Sequence, residues 1–331
     1  MKLPVTQEQP VDLLAPVANQ VDHKLSRKQR LAAEGLVVSY IAAVTATARV
    51  SGIPYLLFPE LGALVYDVLI RPWGKWARQP IRLVITPALT ACVGTIVTRH
   101  LPFSGLSALL IVVSSIAIIA MLRSAIAPAM SAGVLPLVLE VKSWLYPPAI
   151  VATLGLLAAI YLIWRRYHRT ESSRSETGDV EDALESAPRG RGWAFVLLVF
   201  VFGMAEVARL SGLRFLLFPP LVTIAYEMFA HPETCPWTKR PITLPIMCFL
   251  TAFCGLLAHR ILGPGIAMAF VAVVIGIALL RAFDLHMPPA MAIGLLPAVM
   301  NSPDFKFPFA VLGSTLCLTA VFLAYQKIER G

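Results

Sequence analysis

Apolar stretches near membrane-spanning length follow one another along the chain, and polar residues gather between them. The stretches are continuous and rich in Leu, Ala, Val and Ile, with no strict alternation of apolar and polar positions. Alternation with period two would mark the strands of a spanning barrel. Continuous runs mark helices, which satisfy every backbone group inside lipid. The pattern predicts six segments over 35–50, 54–70, 80–100, 104–122, 125–140 and 145–164. Six more fall over 193–210, 213–230, 241–262, 264–281, 286–300 and 306–326. The segments at 54–70, 125–140, 213–230 and 286–300 are short and contain proline. Each either crosses fully or enters and leaves on one side. The fold class expected is an all-α polytopic transmembrane bundle of about 8–12 membrane segments.

The second half echoes the first at a shift of 160 to 161 residues. The stretch from Arg49 to Leu61, with Gly52, Phe58 and Pro59, lies over Arg209 to Leu221, with Gly212, Phe218 and Pro219. Tyr66-Asp67 lies over Tyr226-Glu227, and Trp76 and Pro80 over Trp237 and Pro241. Gly94 and Arg99 lie over Gly255 and Arg260, and Pro128-Ala129-Met130 with Gly133 and Pro136 over Pro289-Ala290-Met291 with Gly294 and Pro297. Shared apolar letters would mean little. Shared Arg, Pro, Gly and Trp in order point to two tandem copies of one unit. The domains expected are a cytoplasmic tail (1–34), membrane repeat 1 (35–166), a flexible cytoplasmic linker (167–192) and membrane repeat 2 (193–331). The linker is polar, mixed in charge and without periodicity, which is the composition of a disordered segment.

Basic clusters set the orientation. They are Lys24, Arg27, Lys28 and Arg30; Arg71, Lys75, Arg78 and Arg82; Arg165, Arg166 and Arg169; Lys239 and Arg240; and Lys327 and Arg330. Placing all of them in the cytoplasm requires an even number of crossings between clusters. The two units then face the same way, as parallel repeats, and the tail, linker and carboxyl terminus are cytoplasmic. The expected location is the cell (inner) membrane.

Composition agrees. Of 331 residues, 57% are hydrophobic and 14% charged, where a soluble protein carries about a quarter charged. Mean hydropathy is +0.74. The net charge of +9 sits beside apolar segments, so it reads as topology and not as nucleic-acid binding. The five cysteines show no CxxC pair and read as packing residues. No Walker A, G-x-S-x-G or H-E-x-x-H motif is present, so no ATPase, hydrolase or metalloprotease chemistry is expected. No cofactor, metal or catalytic residue is expected either.

The candidate chemistry lies in ionisable groups and broken helices within apolar segments, where desolvation is costly. Arg49 and Arg209 stand at equivalent positions at the ends of the first segments. They either snorkel to headgroups or attract an anion, and Glu206 stands one turn before Arg209 as a partner. Asp67 and Glu227 are equivalent acids that either face the neighbouring basic cluster at the interface or act as a gate or proton relay. His286 is either an interfacial histidine or a third member of that relay, since an imidazole changes charge near neutral pH. Glu60 has no acidic twin, because Pro220 takes its place, and counts for less in a symmetric site. The starts of the fifth segments, Pro128-Ala129-Met130 and Pro288-Pro289-Ala290-Met291, are candidate substrate-binding elements. A short helix begun by proline at membrane depth presents free N–H groups and a positive dipole end. The competing reading is a kinked packing helix with no ligand.

His286-Met287-Pro288-Pro289-Ala290-Met291-Ala292 resembles the His-Pro-Pro motif of the HPP family of integral membrane proteins, with one residue inserted after His. Gln79-Pro80 and Pro59-Glu60-Leu61-Gly62-Ala63 resemble that family's earlier landmarks. The resemblance covers both units, although the first has Ala125 and Ala127 where the motif has His and Pro. It implies a duplicated member of a family of which some members are linked to nitrite transport. The function expected is a secondary transporter or permease for a small solute, with an anion as one option. The alternative is a non-transporting scaffold or regulatory subunit of a larger membrane complex. The partners expected are the lipid bilayer, the solute and, as an option, further copies of the chain.

Overall fold

A computed structural model describes residues 25–167, 192–233 and 235–330. The expected tail up to residue 24 and nearly all of the expected linker lie outside the described residues. Twelve α-helices and no strands are found among the described residues. The first half holds α1 (Arg27–Ser51), α2 (Glu60–Ile70), α3 (Pro80–His100), α4 (Gly105–Met121), α5 (Pro128–Leu139) and α6 (Tyr146–Tyr167). The second holds α7 (Trp193–Ser211), α8 (Pro219–Ala230), α9 (Thr243–Leu262), α10 (Ile266–Ala282), α11 (Pro289–Leu295) and α12 (Lys306–Arg330).

Six helices, α1, α3, α6, α7, α9 and α12, are long and apolar enough to cross a membrane. The outward positions of α3 (Ile81, Ile85, Leu89, Ile96) and of α7 (Phe195, Val199, Phe202) are exposed and apolar. Repeated along a bundle, such faces suit lipid and not water. The chain is therefore an all-α, multi-pass integral membrane protein.

Four of the expected segments depart from the hydropathy pattern. The first helix begins at Arg27 and not at 35, because Ser26 and Gln29 form a capping box that starts it in the polar region. Neither 54–70 nor 213–230 is one helix: Pro54–Leu56 and Arg214–Leu217 are separate 3-10 turns, α2 starts only after Pro59, and α8 starts at Pro219. The segment at 286–300 contracts to Pro289–Leu295 and a 3-10 turn over Leu296–Ala298, because Pro297 cannot continue the hydrogen-bond ladder.

Hydrogen bonds define the two ends of the bundle. At the basic end Arg82 donates to the Arg123 carbonyl, Tyr161 to the Pro72 carbonyl and Lys75 to Glu227. At the far end Arg49 donates to the Pro264 carbonyl, Arg99 to the Lys142 carbonyl, and Glu206 accepts from the Gly105 amide. The carboxyl ends of α2 and α8 meet at the basic end, so the two halves run in the same direction. They also interlock. Helix α1 packs on α10 and α7 on α4; α2 packs on α11 and α8 on α5.

Within each half the fifth helix is drawn tightly onto the third. A Cβ at Gly94 would collide with the Gly133 carbonyl, and one at Gly255 with the Gly294 carbonyl. Small residues let helix backbones approach this closely, which is how helices gain packing energy in lipid.

Candidate functional site

Four short helices, α2, α5, α8 and α11, form the interior. Every residue of α2 and of α8 is buried, as is every residue from Pro128 to Val138 and from Pro289 to Leu295. Proline sets where each begins. Pro59 and Pro288 occupy the N-caps of α2 and α11, while Pro128 and Pro219 are the first residues of α5 and α8. At 1.5 Å per residue, the 11 residues of α2 rise about 16 Å, half of a hydrocarbon core of about 30 Å. The amino end of α2 therefore stands near mid-depth when its carboxyl end lies at the membrane surface.

The pair α2 and α11 carries charge. Asp67, 4% exposed, has Oδ1 2.7 Å from His286 Nε2. The His286 ring stacks on Tyr66, with centroids 5.8 Å apart. Arg71, one turn further along α2, stands 3.9 Å from the same carboxylate. Beside them Glu34 of α1 accepts from Arg281 through both oxygens and pairs with Arg30 at 3.3 Å. At the other end of α2, Glu60 is 2% exposed, and neither of its oxygens has a partner on another residue. Residues 60 and 67 are two turns apart on one helix face, about 10 Å along the axis.

The pair α5 and α8 carries hydroxyls instead. Ser131 donates to the Pro219 carbonyl at 2.7 Å and lies 2.6 Å from the Thr223 hydroxyl. Thr223 in turn reaches the Ala127 carbonyl at 3.3 Å. At the basic end Glu227 meets Lys75 at 3.4 Å, not a histidine, because Ala125 stands where the other half has His286. His231 follows α8 and packs edge-on against Tyr226. Burial holds its imidazole below the ordinary value, and Glu227 acts in the opposite direction.

The structure thus brings Asp67 and His286 into direct contact and sets Glu227 at the matching place. Arg49 and Arg209 are at the far end and already engaged, Arg49 with the Pro264 carbonyl and Arg209 with Glu206 at 2.7 Å. The starts of α5 and α11 do not offer the free N–H groups expected of them. Ala129 and Met130 donate to Ile126 and Ala127, and Ala290 and Met291 donate to Met287 and Pro288. A tight turn before each proline has consumed those donors. Two open clefts of about 370 and 280 Å³ lie at the far end, around Leu213, Phe215, Phe305 and Lys306, away from both short-helix pairs.

Sequence reasoning missed Glu34 and the Ser131–Thr223 contact, and it placed Lys75 in a basic cluster without showing that its partner is Glu227 of the other half. It also ranked Glu60 low, for want of an acidic twin. The signal available was a carboxylate one residue after proline, inside an apolar segment. Compared with protein-family models, curated proteins and solved structures, the chain matches none.

Proposed function

We propose that the chain is a secondary transporter or permease for a small solute, held in the cell membrane with its basic end in the cytoplasm. The observation that carries this reading is the pair of ion contacts, Asp67–His286 and Glu227–Lys75, at matching ends of the two buried short-helix pairs. Both acids are buried, at 4% and 6% exposed, and a buried ionisable group within a membrane bundle is a functional candidate by default. Two clamps at one end of a centre built from broken helices suit a gate. Opening them would expose the interior to the cytoplasm, while the far end stays closed by Arg49, Glu206 and the Arg214–Glu140 pair. The HPP-like stretch at His286 to Ala292 supplies one half of a clamp, which fits membership of that family. It also fits an origin of the two halves by duplication.

An anionic cargo is weakened as a reading by the engagement of Arg49 and Arg209 and by the acid inside. Anionic, cationic and neutral solutes therefore all belong in the test. Purified protein reconstituted in liposomes is screened for uptake of each class under pH and ion gradients. The expected result is uptake of at least one solute, with its rate changed in Asp67→Asn and Glu227→Gln. Well-folded protein that moves none of them, and that copurifies with a stoichiometric partner, would favour the scaffold reading.

A further inference from the structure

We infer that Glu60 is a proton-binding site at mid-depth in the bundle, resting as the neutral acid and releasing its proton only when the interior opens. The inference deepens the transport reading and rests on it for its purpose, because it makes the proton the coupling ion.

Helix α2, which carries Glu60, packs against α1, α6, α5 and α11. Of the charged and titratable groups on those elements Tyr146 stands near Glu60, and its hydroxyl is committed to another acceptor. On α1, Arg30 and Glu34 join Arg281 at the basic end, Tyr40 donates to the Thr153 carbonyl, and Arg49 is at the far end. Arg27 and Lys28 begin α1 in the polar region. On α6, Tyr146 donates to the Ala132 carbonyl and Tyr161 to the Pro72 carbonyl, while Arg165 and Arg166 stand in its last turn. Helices α5 and α11 carry no charged or titratable side chain. On α2 itself Asp67 is held by His286 and Arg71. Among the described residues of these elements no cation is left to neutralise a carboxylate at Glu60.

The first turn of α2 supplies only a partial positive charge, worth up to about 2 kcal/mol to an anion. Burying an unpaired carboxylate costs more than that. The counter-charge must therefore arrive as a ligand. A metal cation needs several oxygens around it, and among the described residues no three His, Cys, Asp or Glu side chains converge. A proton needs one carboxyl oxygen, which is what the site provides. The Asp67–His286 pair stands two turns along the same face, about 10 Å toward the basic end.

Infrared difference spectroscopy of the purified protein across about pH 5 to 9 tests this. The expected result is a carboxylic C=O band that disappears as pH rises, is absent in Glu60→Gln and is present but displaced in Glu60→Asp. Spectra of Glu60→Gln identical to those of the unaltered protein would overturn the inference. Should Glu60→Gln fail to fold, a hydrophobic carbodiimide on the unaltered protein decides, because it attacks protonated buried carboxyls. Mass mapping should find the adduct on Glu60, with a rate falling about tenfold per pH unit above the midpoint. No adduct at any pH, or a rate independent of pH, would overturn it. Titration at Glu60 without solute flux keeps the proton site and removes the transport reading. Flux without titration at Glu60 does the reverse.

Discussion

At the amino end of α2 stands Glu60, while at the matching place in α8 stands Pro220. At the other end of α2, Asp67 meets an imidazole; at the same end of α8, Glu227 meets an ammonium. Between these ends, α8 is tied to α5 by Ser131 and Thr223, where α2 and α11 have Ala63 and Ala292. The helix arrangement is alike on both sides and the chemistry is not. Hydroxyl contacts and a lysine–glutamate pair make α5 with α8 the fixed side. A buried acid with no partner on another residue makes α2 with α11 the side that responds to protons.

What the two sides share gives the largest expected effects. Gly94→Ala and Gly255→Ala each force a helix pair apart, and each should cost at least about 2 kcal/mol, by roughly equal amounts. Thermal unfolding in detergent, followed by tryptophan fluorescence, measures this. If one variant is silent, the two halves are not packed alike. The next effects should be unequal. Glu227→Gln leaves the charge of Lys75 partly buried and should cost about 2 kcal/mol. Asp67→Asn keeps an acceptor oxygen facing His286 Nε2 and should cost about 1 kcal/mol. The reverse order would undo the contrast between fixed and responsive sides.

Ser131→Ala should lose about 1 kcal/mol, with the Thr223 hydroxyl keeping its bond to the Ala127 carbonyl. Chemical unfolding under the same conditions reads it. The smallest effect concerns His231. Its folded value lies below its unfolded one, so its contribution is complete above the ordinary imidazole range and declines as pH falls through about 6.5. His231→Asn should flatten the acid side of the stability profile only slightly.

Much of this architecture is legible in the residue pattern, because lipid demands apolar helices and positive residues mark their ends. The apolar runs locate the long helices to within a few residues, apart from the start of α1, which a capping box moves back to Arg27, and the Tyr66-Asp67 and Tyr226-Glu227 pairs point to the two clamps. The breaks inside the short segments are less legible. Hydropathy counts Pro54 to Ile70 as one run, and only the rigidity of Pro54 and Pro59 shows that a helix cannot fill it. Side-chain partners over long separations are not legible at all. Nothing near Glu34 in the chain signals Arg281, and nothing near Ser131 signals Thr223. Glu60 was visible but undervalued, since symmetry directs attention to groups that recur, and the interior acid does not.

The responsive and fixed sides keep their meaning only if both halves lie in the bilayer facing the same way. Single cysteines in place of Lys142 and Ser302 at the far end, and of Lys28 and Arg240 at the basic end, all at exposed or half-exposed positions, report this to a maleimide that cannot cross the membrane. Reaction at Lys142 and Ser302 from outside intact cells, with Lys28 and Arg240 reacting only after permeabilisation, is the predicted result. Labelling of Lys142 and Ser302 from opposite sides would contradict the account.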